Sequence, residues 1–156
     1  MAISRPTPDV TSLLVCDQII TDRITGKQSL IGLFSTIHSF RFPAVHPQLS
    51  VFCSLTDGHG TTPLTIRIVD SNEDRPPLVE GSGTVRFNNP RAIANLALQF
   101  HGLRFPQPGE YRVQLYCRGE LLREARLTML KAKRVPRDGG KPPVEPDDDE
   151  DDEDDE

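Results

Sequence analysis

Apolar and polar residues alternate with a period of two along most of this chain, the signature of strands that bury one face and wet the other. The clearest case is Phe105–Leu130. Tyr111, Val113, Leu115 and Cys117 alternate there with Arg112, Gln114, Tyr116 and Arg118. Arg118-Gly119-Glu120 is a short Gly-containing turn, and the return run puts Leu121, Ala125, Leu127 and Met129 opposite Glu124, Arg126 and Thr128. That is a β-hairpin, with Arg123 the one residue out of pattern. Ahead of it, Pro106 and Pro108 remove backbone donors and Gly109 permits a sharp turn.

The same reading runs back through the chain. Ser12–Thr21 is rich in β-branched residues and apolar on both faces, which places it centrally in a sheet. Asp22–Lys27 is turn chemistry. Gln28–Phe40 reads as one long strand with Gly32 at a bulge, and residues 41–48, with Pro43 and Pro47, read as a loop. Leu49–Thr56 and Leu64–Val69 alternate cleanly on either side of Asp57-Gly58-His59-Gly60, so a second hairpin is expected there. Leu78–Phe87 is a strand weakened by Gly81 and Gly83 and suited to a sheet edge. Arg91–Phe100 has two readings. Asn88 or Asn89 could cap a short helix with Pro90 at its first position, but the alternation of Ala92, Ala94, Leu96, Leu98 and Phe100 favours a strand. The expected fold is an all-β, immunoglobulin-like sandwich of seven to eight mostly antiparallel strands.

Charge divides the chain. Asp147–Glu156 is ten consecutive acidic residues, preceded by a segment of Pro, Gly and charge. Neither can bury enough apolar surface to fold. The expected organisation is a flexible lead at 1–11, a sandwich domain at 12–131, a linker at 132–146 and a disordered acidic tail at 147–156. The net charge of −5 hides a basic body: residues 1–146 hold 18 basic and 13 acidic residues, a net of +5. The basic run Lys131, Lys133, Arg134, Arg137 and Lys141 leads into the tail. Such a tail confers solubility, screens the basic surface against nucleic acid, or docks on a basic partner. Three cysteines without paired spacing, no secretory leader and no apolar run near 20 residues point to a reduced, cytoplasmic protein without a membrane span.

Two resemblances follow from these residues. Pro108-Gly109-Glu110-Tyr111 resembles the corner of immunoglobulin-like and fibronectin-like domains, where a Tyr hydroxyl ties a sheet-to-sheet connection back to backbone. The resemblance gives Pro108, Gly109 and Tyr111 a structural role. Val113 stands where antibody domains place a Cys, and the chain has no Trp, so the disulfide-bearing version is absent. About residues 13–129 are also similar to a family of small bacterial proteins of unknown function. Val15-Cys16-Asp17, Thr25–Phe34, Phe42-Pro43 and Pro108–Tyr111 carry that likeness. It implies no activity.

Candidate chemistry is sparse. Cys16, Cys53 and Cys117 fall in strands and behave as small buried hydrophobes. His38, His46, His59 and His101 lack metal-site spacing, although positions 38 and 101 could converge across a sheet. Asp57-Gly58-His59-Gly60 is explained by turn propensity. Asp17 in an apolar strand needs a partner, with Arg23, Lys27 or a backbone turn the candidates. No phosphate-cradling loop, cofactor motif or metal set is present in the sequence, and none is expected to be used.

The expected function is a non-catalytic protein–protein interaction module. Its surface is the polar face carrying Arg112, Tyr116, Arg118 and Arg126, with Phe52 and Val69 as further apolar residues on polar faces. The alternative is a tail-regulated nucleic-acid-associated or chaperone-like regulator, which requires Arg67, Arg86, Arg112, Arg118 and Arg126 to share a surface. A hydrolase is a third reading and needs His and Asp to converge in a pocket.

Overall fold

The computed structural model describes residues 6–72 and 75–133. The expected acidic tail and most of the linker lie outside the described residues. Nine strands form among the described residues: β1 (Asp9–Thr21), β2 (Gln28–Leu33), β3 (Thr36–Ser39), β4 (Ala44–Thr56), β5 (Gly60–Asp70), β6 (Val79–Phe87), β7 (Ala94–Phe105), β8 (Gly109–Cys117) and β9 (Glu120–Lys131). They make a four-stranded sheet, β2-β1-β4-β7, and a five-stranded sheet, β3-β9-β8-β5-β6. All pairings are antiparallel except β3 with β9.

Alternation decides what lies between the sheets. Leu49, Val51, Cys53 and Leu55 from one sheet face Leu64, Ile66, Ile68, Val113 and Leu115 from the other, and all are essentially solvent-free. The strand reading of the Arg91–Phe100 region is correct, since Ala94 and Phe100 point into this core and Leu96 and Leu98 pack against it. The glycines of β6 have a packing reason. A Cβ on Gly81 would lie 2.9 Å from the Phe100 ring, and one on Gly83 would lie 2.8 Å from Leu96. Their absence lets the β6 edge approach β7 of the opposite sheet.

The β8–β9 hairpin forms as expected. Arg118 and Gly119 have φ of 50° and 81°, the positive values of the two-residue turn that matches strand twist. A register shift opposite Leu115 and Tyr116 accounts for the broken alternation of the return strand. It turns Leu122 toward the core and leaves Leu121 exposed.

Four expectations need correction. The segment Gln28–Phe40 is two strands, which raises the strand count to nine. Gly32 has φ 71°, and beyond Phe34 the chain leaves the four-stranded sheet. Phe34 still donates to the Val15 carbonyl, whereas Ser35 accepts from Thr128 in the other sheet. Period-two alternation is blind to a change of partner sheet, so the sequence shows no break. The region 41–48 is not all loop: β4 starts at Ala44 and runs through Pro47. Proline is tolerated because β4 has no β1 partner beyond Ser50, so no donor is missed on that side. Likewise β1 begins at Asp9, three residues before the expected Ser12, and buries Pro8 just ahead of it.

The fourth correction is topological. β4 and β5 do not pair; Asp57–His59 carries the chain from one sheet to the other. Asp57 donates its amide to the Pro90 carbonyl at 2.8 Å, and Thr56 Oγ1 donates to the Ala92 carbonyl, which ties this crossing to the β6–β7 crossing. Gly58 lies against Phe87, whose ring is nearly solvent-free. A Cβ on Gly58 would overlap the Phe87 ring carbons Cδ2 and Cε2. Gly58→Ala is therefore expected to destabilise by about 1–3 kcal/mol through displacement of the Phe87 ring. Urea unfolding measures this, and an unchanged midpoint would show that the crossing does not depend on that contact.

Candidate functional site

The connection from β7 to β8 crosses between the sheets, and Tyr111 locks it. Its hydroxyl donates to the Gln107 carbonyl at 2.6 Å and accepts from the Gln107 amide at 3.3 Å. Its ring is fully buried, edge-on to Phe105 at 5.0 Å between centroids. Burial raises the ionisation range of the phenol, so it stays a neutral donor. Gly109, with φ 140°, makes the bend that Pro108 precedes. The sequence did not signal that the end of β5 joins this corner. Asp70, nearly buried, accepts from the Asn72 amide at 3.1 Å and pairs with Arg75 at 3.2 Å. Arg75 in turn donates to the Gln107 side chain at 3.2 Å. Asp70 and Arg75 are five residues apart but Gln107 lies 32 residues beyond Arg75, and Asp70 looks like an ordinary loop acid.

The outward face of the five-stranded sheet carries most of the residues expected to form an interaction surface, and carboxylates on the same face pair with Arg112 and Arg126. Arg112 pairs with Glu124 at 2.7 Å and lies 3.9 Å from Glu110; Arg126 pairs with Glu110 at 2.8 Å. Gln114 donates to Glu124, and the Tyr116 hydroxyl donates to Gln114. Arg67 pairs with Glu80 at 3.2 Å, and its guanidinium lies 5.1 Å over the Tyr116 ring. Arg86 shares this face at the β6 edge, beside Thr61. Arg118 sits at the hairpin tip with Nη1 3.5 Å from Cys117 Sγ. Four of the five arginines thus collect on one sheet, interleaved with Glu80, Glu110 and Glu124. Val69 is also here, beside Arg112, whereas Phe52 is on the other sheet.

The outward face of the four-stranded sheet is different in kind. Cross-strand pairing brings Leu33 beside Cys16, Ile31 beside Gln18 and Leu14 beside Phe52. Leu14, Ile20, Ile31 and Leu33 are 40–60% exposed, and Cys16 lies buried among these outward neighbours. The apolar character of Ser12–Thr21 on both faces thus reflects a core on one side and this patch on the other. β2, which forms the outer rim of the patch, reads QSLIGL and carries no charge. The β6 edge of the other sheet has Glu80 and Arg86.

Asp17 is not the buried acid the sequence implied. Its side chain is 61% exposed and rests over Gly32, and it pairs with neither Arg23 nor Lys27. Its carboxylate lies 3.9 Å from His46 Nε2, an atom sealed from solvent and without a hydrogen-bond partner among the described residues. The His46 ring stacks at a tilt on Phe34, 5.6 Å away. Gln18, Pro47 and Gln48 complete a hollow of about 250 Å³ where β1 and β4 part. This pair escaped sequence reading because Pro47 hid the strand that presents His46. It lacks a nucleophile: Ser50, buried nearby, donates to the Asp17 carbonyl. His38, His59 and His101 are exposed on separate elements and do not converge. Among the described residues no three His, Cys, Asp or Glu side chains group to hold a metal, and no helix is long and apolar enough to cross a membrane.

Two packed sheets, chain crossings between them and a tyrosine-tied corner define an immunoglobulin-like β-sandwich. The chain belongs, over residues 11–130, to a family described as "Family of unknown function (DUF6941)". No curated protein matches the sequence. Among solved structures, an immunoglobulin-like protein from Pseudomonas aeruginosa is 14% identical, with 81% of this chain and 98% of that one covered at a TM-score of 0.41. The alkylpurine DNA glycosylase AlkC of Pseudomonas fluorescens, solved on DNA containing an abasic site analog, is 11% identical. There the match spans 78% of this chain but only 30% of the glycosylase, at a TM-score of 0.45.

Two predictions follow from the geometry. Tyr111→Phe removes both corner hydrogen bonds while keeping the buried ring, and is expected to lower stability by about 1 kcal/mol in denaturant unfolding. A loss near zero would mean that water replaces the hydroxyl without cost. Burial pushes the Cys53 thiol up to about 11 and raises Cys16 and Cys117 as well. The native protein at pH 8 is therefore expected to resist a thiol-specific disulfide reagent, while all three react once unfolded. Rapid labelling of one thiol in the native state would identify a reactive cysteine and contradict this.

Proposed function

We propose that this domain is a non-catalytic protein-binding module that takes an extended, alternately apolar segment of another protein against the β2 edge. The observation that carries this reading is the coincidence of an uncharged edge strand with an exposed apolar face. Edge strands present free backbone donors and acceptors, and proteins normally blunt them with charge, proline or a cover. β2 has neither charge nor proline, and its outward Ile31 and Leu33 are continuous with Leu14 and Ile20. Strand addition supplies main-chain hydrogen bonds, and an apolar face alongside supplies side-chain contacts. Covering the exposed half of each of these side chains would contribute on the order of 1 kcal/mol apiece.

The Arg112, Tyr116, Arg118 and Arg126 surface supports this role less well. Arg112 and Arg126 are matched by carboxylates on the same sheet, and a partner would have to displace those pairs. The same pairing weakens the nucleic-acid reading of that face. A cytoplasmic setting belongs to the proposal and is supported by three buried thiols without a disulfide.

Selection from a library of displayed random dodecapeptides tests the reading. Recovered peptides are expected to alternate apolar residues and to lose at least tenfold in affinity on Leu33→Lys or Ile31→Lys, both at exposed positions that leave the core intact. Peptides that bind those variants normally but lose binding to a combined Arg112→Glu and Arg126→Glu variant would move the site to the other sheet.

A further inference from the structure

A basic cluster lies where the described chain ends. β3 and β9 run parallel and finish together, with Ser39 beside Lys131. The Ala132 amide then donates to the Ser39 carbonyl at 2.9 Å, and the Ser39 hydroxyl donates to the Arg41 carbonyl at 2.9 Å. These bonds hold Phe40 and Arg41 against Lys131, Ala132 and Lys133, around an open hollow of about 670 Å³. Phe40 is 58% exposed. Among the described residues, no carboxylate lies within ion-pair distance of Arg41, Lys131 or Lys133, whereas Arg67, Arg75, Arg112 and Arg126 are each paired. Three cations thus surround an exposed aromatic ring without local compensation.

We propose that this cluster is a polyanion-binding site whose resident occupant is the chain's own acidic terminus, Asp147–Glu156. The complement in charge is within the same polypeptide: ten carboxylates, against a site whose cations lack ion-pair partners among the described residues. Connectivity favours the pairing too. The polypeptide departs from the cluster itself at Lys133, and Asp147 is 14 residues further on. Fourteen residues span at most roughly 46 Å, and a random coil of that length averages about 20 Å end to end. It can turn back on its point of exit, and it holds the tail at an effective concentration in the millimolar range. Arg134, Arg137 and Lys141 extend the positive end of the same segment. On the rival basic surface, the five-stranded sheet, Arg67, Arg112 and Arg126 are already held by Glu80, Glu124 and Glu110. An external polyanion must therefore compete with the tail for the Phe40 cluster. This contact is separate from the β2 edge and does not depend on it.

The test uses the full chain with a nitroxide on Glu153→Cys, labelled natively because the three natural thiols are buried. Paramagnetic broadening of amide signals reports where the tail resides. At low salt the signals of Phe40, Arg41 and Lys131–Lys133 are expected to lose more than half their intensity. They should recover at about 0.5 M salt, where screening shortens to a few ångströms. Combined Arg41→Glu, Lys131→Glu and Lys133→Glu should abolish the effect. Broadening spread evenly over the domain, centred on another surface, or unmoved by salt overturns the proposal. The salt series on the unreversed protein decides even where the triple variant does not fold.

Discussion

The sandwich depends on the crossing from β7 to β8. Two sheets share one core only if the chain passes between them without losing the register of either. At this corner Phe105 and Tyr111, six residues apart, must both point inward from different sheets. The Tyr111 hydroxyl bonds to Gln107 fix the path between them. The Asp70–Arg75–Gln107 chain of contacts then brings the end of β5 to the same place. The crossing at Asp57–His59, tied to Pro90, closes the opposite end in a similar way. Each crossing uses hydrogen bonds to backbone where no ladder can satisfy it.

Much of this was legible in the sequence because alternation records burial. Tyr111, Val113, Leu115 and Cys117 were read as one buried face and are all solvent-free. The corner was legible because Pro-Gly-Glu-Tyr couples a turn to a buried hydroxyl. Partner choice was not legible. Leu49–Thr56 and Leu64–Val69 alternate equally well whether they pair with each other or face each other across a core. The split at Phe34 is hidden for the same reason, since both halves keep an inward and an outward side.

Candidate sites fared unevenly, and the cause is physical. A side chain's position on a face follows from parity, so Arg67, Arg86, Arg112 and Arg126 could be assigned to a polar face in advance. Whether that face is charged or neutral depends on which carboxylates the cross-strand register brings alongside, and Glu80, Glu110 and Glu124 come from three different strands. The apolar outer face of β1 was visible as a strand apolar on both sides and was read as a central strand, which β1 is, but parity did not show that this face stays in water. The Asp17–His46 approach joins residues from two strands that have stopped pairing, and parity carries no information about such a gap.

The two outward faces now differ in what they offer. One pairs Arg67, Arg112 and Arg126 with its own carboxylates; the other leaves Leu14, Ile20, Ile31 and Leu33 in water beside an unguarded edge. The central claim is that the second face is where a protein partner binds. A photo-crosslinking amino acid placed at position 33 or at position 112 in the full chain inside cells tests it most directly. The account predicts a defined protein adduct from position 33, lost when Ile31 is changed to Lys, and none from position 112. An adduct from position 112 alone, or one at position 33 indifferent to Ile31→Lys, would contradict it.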